Sequence, residues 1–243
     1  MNAATLGSMS VPASPSLRGW FVTFEGPDGS GKTIQADRLH RLALASGIPS
    51  TLTREPGGTA AGERVRELLL DAASAGLDLD PRADALLFSA ARAQLVAEVI
   101  RPALARGELV VGARHADSTL AYQGYGAGLP AETLRAVQRF ATDGLLPDLT
   151  ILLDLPVEVG LGRKGPNERN RFEAGLDLDF HRRVRDGYLR MAAEEPDRWV
   201  MVDAGREADA VFTGVVAALE RLPDLVAALA RSEPKPPPQR MGR

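Results

Sequence analysis

Residues 19–33, GWFVTFEGPDGSGKT, decide the fold. Gly19–Glu25 is a short apolar run, and Gly26–Thr33 (GPDGSGKT) matches the pattern G-x-x-x-x-G-K-[ST]. Lys32–Ser46 then carries helical spacing, with Leu39, Leu42 and Leu44 among its apolar positions, and stops at Gly47. Strand, glycine turn and helix in that order are the context in which this motif is a phosphate loop. Its glycines free backbone N–H groups to wrap a polyphosphate, and the helix N-terminus adds positive potential. In such a loop the lysine, here Lys32, neutralises the outer phosphates, and the hydroxyl, here Thr33, ligates Mg²⁺. A glycine turn that matches by chance is the bland alternative, and the flanking elements weigh against it. The loop assigns a nucleoside triphosphate without choosing among kinase, GTPase and motor.

Working outward, Ser50–Arg54, Glu108–Gly112, Leu149–Asp154 and Arg198–Asp203 read as four further short strands. Helical patterns fill Ala60–Leu70, Arg82–Arg106 (interrupted at Pro102), Pro130–Thr142, Pro156–Gly162, Leu176–Glu194 and Glu207–Leu222. Short apolar strands alternating with longer helices predict an α/β fold: a five-stranded parallel sheet, covered on both faces, with right-handed crossovers. Ligands of such sheets bind beyond the carboxyl ends of the strands.

The chain has 243 residues, of which 44% are hydrophobic and 25% charged, the balance of an ordinary globular protein. It contains no cysteine, which excludes disulfides, thiolate metal sites and a cysteine nucleophile. A net charge of -3 argues against a general nucleic-acid binder. No apolar run approaches the roughly 18 residues that span a bilayer, and the first residues lack the pattern of a secretory signal. The expectation is a cytoplasmic protein with no membrane or nucleic-acid partner. Its folded domain would cover residues 19–225, between a disordered extension over 1–18 and a polar, proline-rich tail over 226–243.

Four segments point to a second ligand beside the phosphate loop: Thr53–Thr59 (TREPGGT), Leu86–Gln94 (LLFSAARAQ), Arg114–Gly128 (RHADSTLAYQGYGAG) and Arg163–Glu173 (RKGPNERNRFE). Each has a bland reading as turn, core or solvated charge. Their shared location favours function. Arg54 and Arg114 directly follow strands, and Phe88 and Arg92 are four apart on one helix face. An aromatic ring beside an arginine can stack on a base and bond its edge, while Arg54, Arg92 and Arg114 together would neutralise a second phosphate.

EGPDGSGKT, TREPGGT, LLFSAARAQ and ARHADSTLAYQG resemble the motifs of thymidylate kinases, in order and spacing, over nearly all of residues 19–222. The resemblance implies phosphoryl transfer from ATP to dTMP, with Mg²⁺, on the P-loop nucleoside-monophosphate-kinase fold with a lid, in a homodimer. ATP would lie on Gly26, Pro27, Asp28, Gly29, Ser30, Gly31, Lys32 and Thr33. Phe88 would stack on thymine, and Arg92 would bond the base. Arg54 and Arg114 would hold the acceptor phosphate. Ser118 and Thr119 would lie near the base edge. Tyr122 would crowd the sugar 2′ position, with Gln123 close by. One branch of the family carries a catalytic arginine inside the phosphate loop. Here that position is Gly29, so the basic role falls to the lid at about 163–175, where Arg163, Lys164, Arg169 and Arg171 are the candidates.

Four positions depart from the family pattern: Ala113 for the aspartate of an Asp-Arg pair, Ile34 for threonine, Asn170 for an acidic residue, and Ala127 for arginine. Ala113 matters most. A phosphate monoester has a second pKa of about 6, so the acceptor is largely a dianion near neutrality and needs no general base. The lost carboxylate would have held Mg²⁺ through water or oriented Arg114. Its loss should slow the reaction, since one preorganised contact is often worth roughly 10²–10³ in rate. Glu25, which could reach a metal-bound water, and Asp28 are candidate substitutes. Asp117 stands in a loop whose direction is not legible, and Asp154 reads as the N-cap of the next helix. His115 reads as structural. Two other readings stay open: an impaired nucleotide-binding regulator on the same fold, and a kinase for another monophosphate.

Overall fold

The computed structural model describes residues 19–70, 79–163 and 177–231. Its centre is a parallel sheet in the order β2-β3-β1-β4-β5, formed by β1 (Trp20–Glu25), β2 (Ser50–Arg54), β3 (Leu109–Ala113), β4 (Leu149–Asp154) and β5 (Trp199–Asp203). The three inner strands are almost wholly buried, which is why they read as unbroken apolar runs and not as alternation. Thr23 and Thr150 are buried among them with their hydroxyls 3.1 Å apart, so neither polar group is stranded.

Helices cover both faces. On one face α1 (Lys32–Ala45), α9 (Ala208–Ala218) and α10 (Pro223–Arg231) pack Leu39, Val215 and Leu225 against Val22, Phe24 and Ile151. On the other, α3 (Pro81–Leu95) runs through a π-helical stretch, Val96–Ile100, into α4 (Arg101–Ala105), and packs Leu95 and Ile100 on Phe21 and Val110. Pro102 falls at the first turn of α4, where its missing N–H costs little. α8 (Leu178–Glu194) covers the rest of that face, with Tyr188 and Met191 near Leu152 and Trp199. α2 (Ala60–Leu70) and α6 (Ala131–Thr142) flank α3. α3 begins as its sequence asks: the Asp80 side chain accepts from the Arg82 N–H at 2.8 Å, and Pro81 opens the helix.

Two expectations are corrected. The tail was expected from residue 226, but α10 is helical to Arg231, because Leu225, Ala228 and Leu229 give it an apolar face that packs on the core. The segment after β3 is not an open loop. It is α5 (Ala116–Thr119) followed by a π-helical turn, Leu120–Gly126.

The register sets up the site. Ala113 is level with both Phe24 and Arg54, so the carboxyl ends of β1, β2 and β3 come together. The chain moves from β1 outward to β2 and back to β3 on one side, and to β4 and β5 on the other. β1 is therefore the switch point at which such sheets bind ligands, and the glycine loop begins there.

Candidate active site

The loop is shaped by close backbone packing. Gly26 has φ 140°, and a Cβ there would lie 2.4 Å from the Leu153 carbonyl oxygen. Gly29 has φ 74°, and a Cβ would lie 1.9 Å from the carbonyl oxygen of Gly160, in α7 (Val157–Gly162). No side chain fits there, so the loop has no room for an arginine at residue 29. The Lys32 ammonium donates to the carbonyls of Gly26 (2.9 Å) and Pro27 (2.7 Å) and to Ser30 Oγ (3.2 Å). Thr33 is exposed, facing a cavity of about 710 Å³.

That cavity joins the two halves of the site. The loop from Asp28 to Thr33 lines one side, and Arg54, Phe88, Arg92, Arg114, Ser118, Thr119, Tyr122 and Gln123 line the other. Its volume suits a small-molecule site. Arg163, at the end of α7, also lines it and donates to the carbonyls of Gly29 (3.2 Å) and Ala204 (2.9 Å). Lys164, Arg169 and Arg171 lie outside the described residues.

Arg114 is the centre of the acceptor side. Its backbone is left-handed (φ 72°), a conformation that non-glycine residues adopt at a cost of roughly 1–3 kcal/mol and that collects at functional sites. The turn redirects the chain after β3 and brings the guanidinium back to the loop. Nη2 meets Asp28 Oδ1 at 2.5 Å and Tyr122 Oη at 3.0 Å, while Nη1 meets Ser118 Oγ at 3.1 Å and Tyr188 Oη at 3.3 Å. Burial pushes the Tyr122 and Tyr188 phenols well above their ordinary value, so both remain neutral donors.

A second buried network stands behind it. Arg92 is 1% exposed and donates through Nε to Glu55 Oε2 (2.7 Å), through Nη1 to Thr119 Oγ1 (3.1 Å) and Gln138 Oε1, and through Nη2 to the His115 carbonyl (3.1 Å). His115 Nδ1 lies 2.7 Å from Glu55 Oε1. Burial raises the Glu55 carboxyl, but Arg92 and His115 outweigh it and hold it below its ordinary value. Most of the Arg92 guanidinium is thus used to tie α3 to the β2 and β3 ends. Thr119 is tied by the same residue.

Several expectations change here. Glu25 does not face the cavity as a metal ligand. It is fully buried, and its two oxygens accept from the His115 N–H (2.7 Å), Ser118 Oγ (2.6 Å) and Tyr188 Oη (2.9 Å). Its pKa is raised, first by burial and then by Asp117, against the pull of Arg114. Asp154 is not a helix cap. It pairs with Arg185 through both oxygens at 2.8 Å, and the α7 cap position has no side-chain bond. Asp117 pairs with Arg198 at 2.7 and 3.1 Å, so it does not stand in for a carboxylate at residue 113. Asp28 does reach Arg114. Arg54 lines the cavity half-exposed, held by Glu63 at 3.0 Å.

Sequence reading left some residues without a role. Glu55 lay inside TREPGGT, where only the arginine was assigned. Arg66 and Ala204–Ala208 line the cavity from α2 and from the turn after β5, positions that become meaningful only once the sheet order is known. Tyr188 arrives from α8 with no local motif.

The residues fit a nucleoside triphosphate with its metal. The loop is a cradle that side chains would fill, and Thr33 offers a hydroxyl to the cavity. No cluster of three or more His, Cys, Asp or Glu able to hold a metal exists among the described residues. Mg²⁺ is a hard cation that favours phosphate oxygens, and the Thr33 hydroxyl would be its ligand from the loop.

A statistical description of thymidylate kinase sequences matches residues 24–215. The chain is 51% identical over 210 residues to the thymidylate kinase of Desulfovibrio desulfuricans, covering 82% of this chain and 94% of that one. It is 49% identical over 203 residues to that of Deinococcus radiodurans, covering 83% and 97%. Its fold superimposes on the crystal structure of thymidylate kinase from Ehrlichia chaffeensis with a TM-score of 0.67 at 33% identity, covering 83% of this chain and 98% of the other. With a glycine cradle on one wall of the cavity and an aromatic, arginine-rich pocket on the other, the chain belongs to the thymidylate kinase family and is a nucleoside-monophosphate kinase.

Proposed function

We propose that this enzyme transfers the γ-phosphoryl group of ATP to dTMP, giving ADP and dTDP, with Mg²⁺ bound alongside ATP. The observation that carries this is the single cavity shared by the phosphate loop, Phe88 and Arg114. Lys32 and the loop N–H groups hold the ATP phosphates, and Thr33 would offer its hydroxyl to Mg²⁺, which would supply charge neutralisation at the phosphates when bound. Phe88, a half-buried ring on the cavity wall, stacks on thymine. Arg54 and Arg114 hold the acceptor phosphate. Arg163 serves the migrating group from the donor side, together with the lid residues Arg169 and Arg171. Tyr122, with its hydroxyl tied to Arg114, crowds the sugar 2′ position, and Gln123 lies beside it. Since the acceptor is already largely a dianion, rate comes from positioning and fixed charge.

We also place the enzyme in the cytoplasm as a homodimer. No helix among the described residues is long and apolar enough to cross a membrane. Phe140 on α6 is 90% exposed, and Leu86 on the adjoining α3 is 59% exposed. Such apolar side chains on neighbouring helices suit a second copy of the chain. Phe140→Asp should give a monomer by analytical ultracentrifugation.

The activity is tested by assaying the full chain with ATP, Mg²⁺ and, in turn, dTMP, dUMP, UMP, CMP and AMP. Formation of dTDP at the highest kcat/KM is expected. Binding of dTMP without turnover would instead favour a regulatory protein, and a faster reaction with another acceptor would favour a different kinase.

A further inference from the structure

Tyr188 is fully buried in α8, and its ring packs edge-on to Tyr122 at 6.5 Å. Packing alone would be served by phenylalanine. Its hydroxyl, however, meets only groups that also serve the acceptor site: Glu25 Oε2 at 2.9 Å, Ser118 Oγ at 2.9 Å and Arg114 Nη1 at 3.3 Å. Ser118 repeats the pattern, accepting from Arg114 Nη1 at 3.1 Å and donating to Glu25 Oε2 at 2.6 Å. With its one proton given to the carboxylate, each hydroxyl keeps lone pairs for the guanidinium, and the Ser118–Tyr188 approach is then a contact without a shared proton. Glu25 is thereby linked to Arg114 through two parallel hydroxyl bridges. Asp28 meets the other side of the same guanidinium at 2.5 Å.

We propose that Arg114 is fixed for the acceptor phosphate by two carboxylates, Asp28 directly and Glu25 through Ser118 and Tyr188, which makes Tyr188 a positioning residue and makes good the carboxylate absent at Ala113. This rests on the dTMP kinase reading above and explains how that reading survives an alanine at the end of β3. The two supports grip different nitrogens of one fork. Together they hold it against rotation, as a lone partner would not. Ala113 is 6% exposed and lines the same cavity as Arg114. A new carboxylate there would duplicate support already present.

The test is a cycle of Tyr188→Phe, Ala113→Asp and the double variant. Affinity for dTMP is read by calorimetry without ATP or Mg²⁺, and KM for dTMP and ATP by steady-state kinetics. Tyr188→Phe should weaken dTMP about tenfold, the effect of one hydrogen bond to a charged group, and leave the KM for ATP within about twofold. Ala113→Asp should improve dTMP binding about fivefold more in the Tyr188→Phe background than in the parent, the coupling expected of groups that share one partner. Equal gains in both backgrounds, or unchanged dTMP affinity in Tyr188→Phe, would overturn the proposal. If Tyr188→Phe does not fold, Ser118→Ala cuts the parallel bridge and carries the same expectations. A parent protein that does not bind dTMP overturns the dTMP kinase reading and this inference with it. A parent that binds dTMP and a variant that matches it overturn this inference alone.

Discussion

The two walls of the cavity are built from different materials. The donor wall is backbone: eight consecutive residues, shaped by glycines whose missing side chains let the loop lie on Leu153 and Gly160. The acceptor wall is side chains from the end of β2, from α3 and from the segment after β3, backed by β1 and α8 and locked by buried charges such as Arg92–Glu55 and Arg114–Asp28. A backbone site tolerates little change in local shape but needs few long-range partners. A side-chain site has its shape set by charge balance, so removing one partner endangers the whole wall.

The sharpest way to break this contrast is to remove one partner of a buried charge. Arg92→Met leaves Glu55 with His115 as its remaining ionic partner and should cost about 3–5 kcal/mol of stability, read by urea unfolding. Adding Glu55→Gln should recover part of that loss. Recovery of nothing would mean that the acceptor wall is held by packing, like the donor wall. Lys32→Ala should lower kcat about 10²–10³-fold with a much smaller change in unfolding midpoint, since the carbonyls of Gly26 and Pro27 and the Ser30 hydroxyl that it meets all belong to its own loop. On the donor wall, Gly29→Ala should cost about 3 kcal/mol or more, because its Cβ would meet the Gly160 backbone in addition to the strain of positive φ. Gly31→Ala, with φ 86° but nothing within 4 Å of its Cβ, should cost less. Equal costs would mean that positive φ alone, and not the contact with α7, dictates the loop.

The smallest expected effect separates the two carboxylates of the acceptor wall by pH. Glu55 titrates below its ordinary value of 4.5, so its contribution is present above that value and is lost as pH falls through the folded pKa. Glu25 titrates above 4.5, so its contribution is complete below that value and is lost as pH rises through its folded pKa. Glu25→Gln should therefore flatten the decline in melting temperature above pH 4.5, by about 2–4 °C. A steeper decline would place the folded pKa of Glu25 below 4.5.

How much was legible follows the same division. The glycine loop, the parallel sheet and its five strands could be read because they are local: contiguous apolar runs, a contiguous motif, punctuating glycines. Phe88 and Arg114 were legible through short motifs. The misplacement of Glu25 had a physical cause. Its position beside the loop suggests the metal, yet the side chain of a strand end points where the sheet directs it, here to the start of α5. Asp154 was misread in the same way, because Pro156 makes a good helix opening while Arg185, 31 residues on, is invisible until α8 is packed. Tyr188 has no motif, and its meaning comes from partners 70 to 163 residues away. Charge networks with such separations are properties of the folded chain.

The contact between Gly29 and Gly160 has an evolutionary reading. An arginine in the loop and a glycine-packed α7 are mutually exclusive, since each occupies the volume that the other requires. A lineage cannot gain a side chain at residue 29 by that substitution alone: α7 must retreat as well, so the two positions change together. The spacing of the two backbones is therefore inherited as a unit.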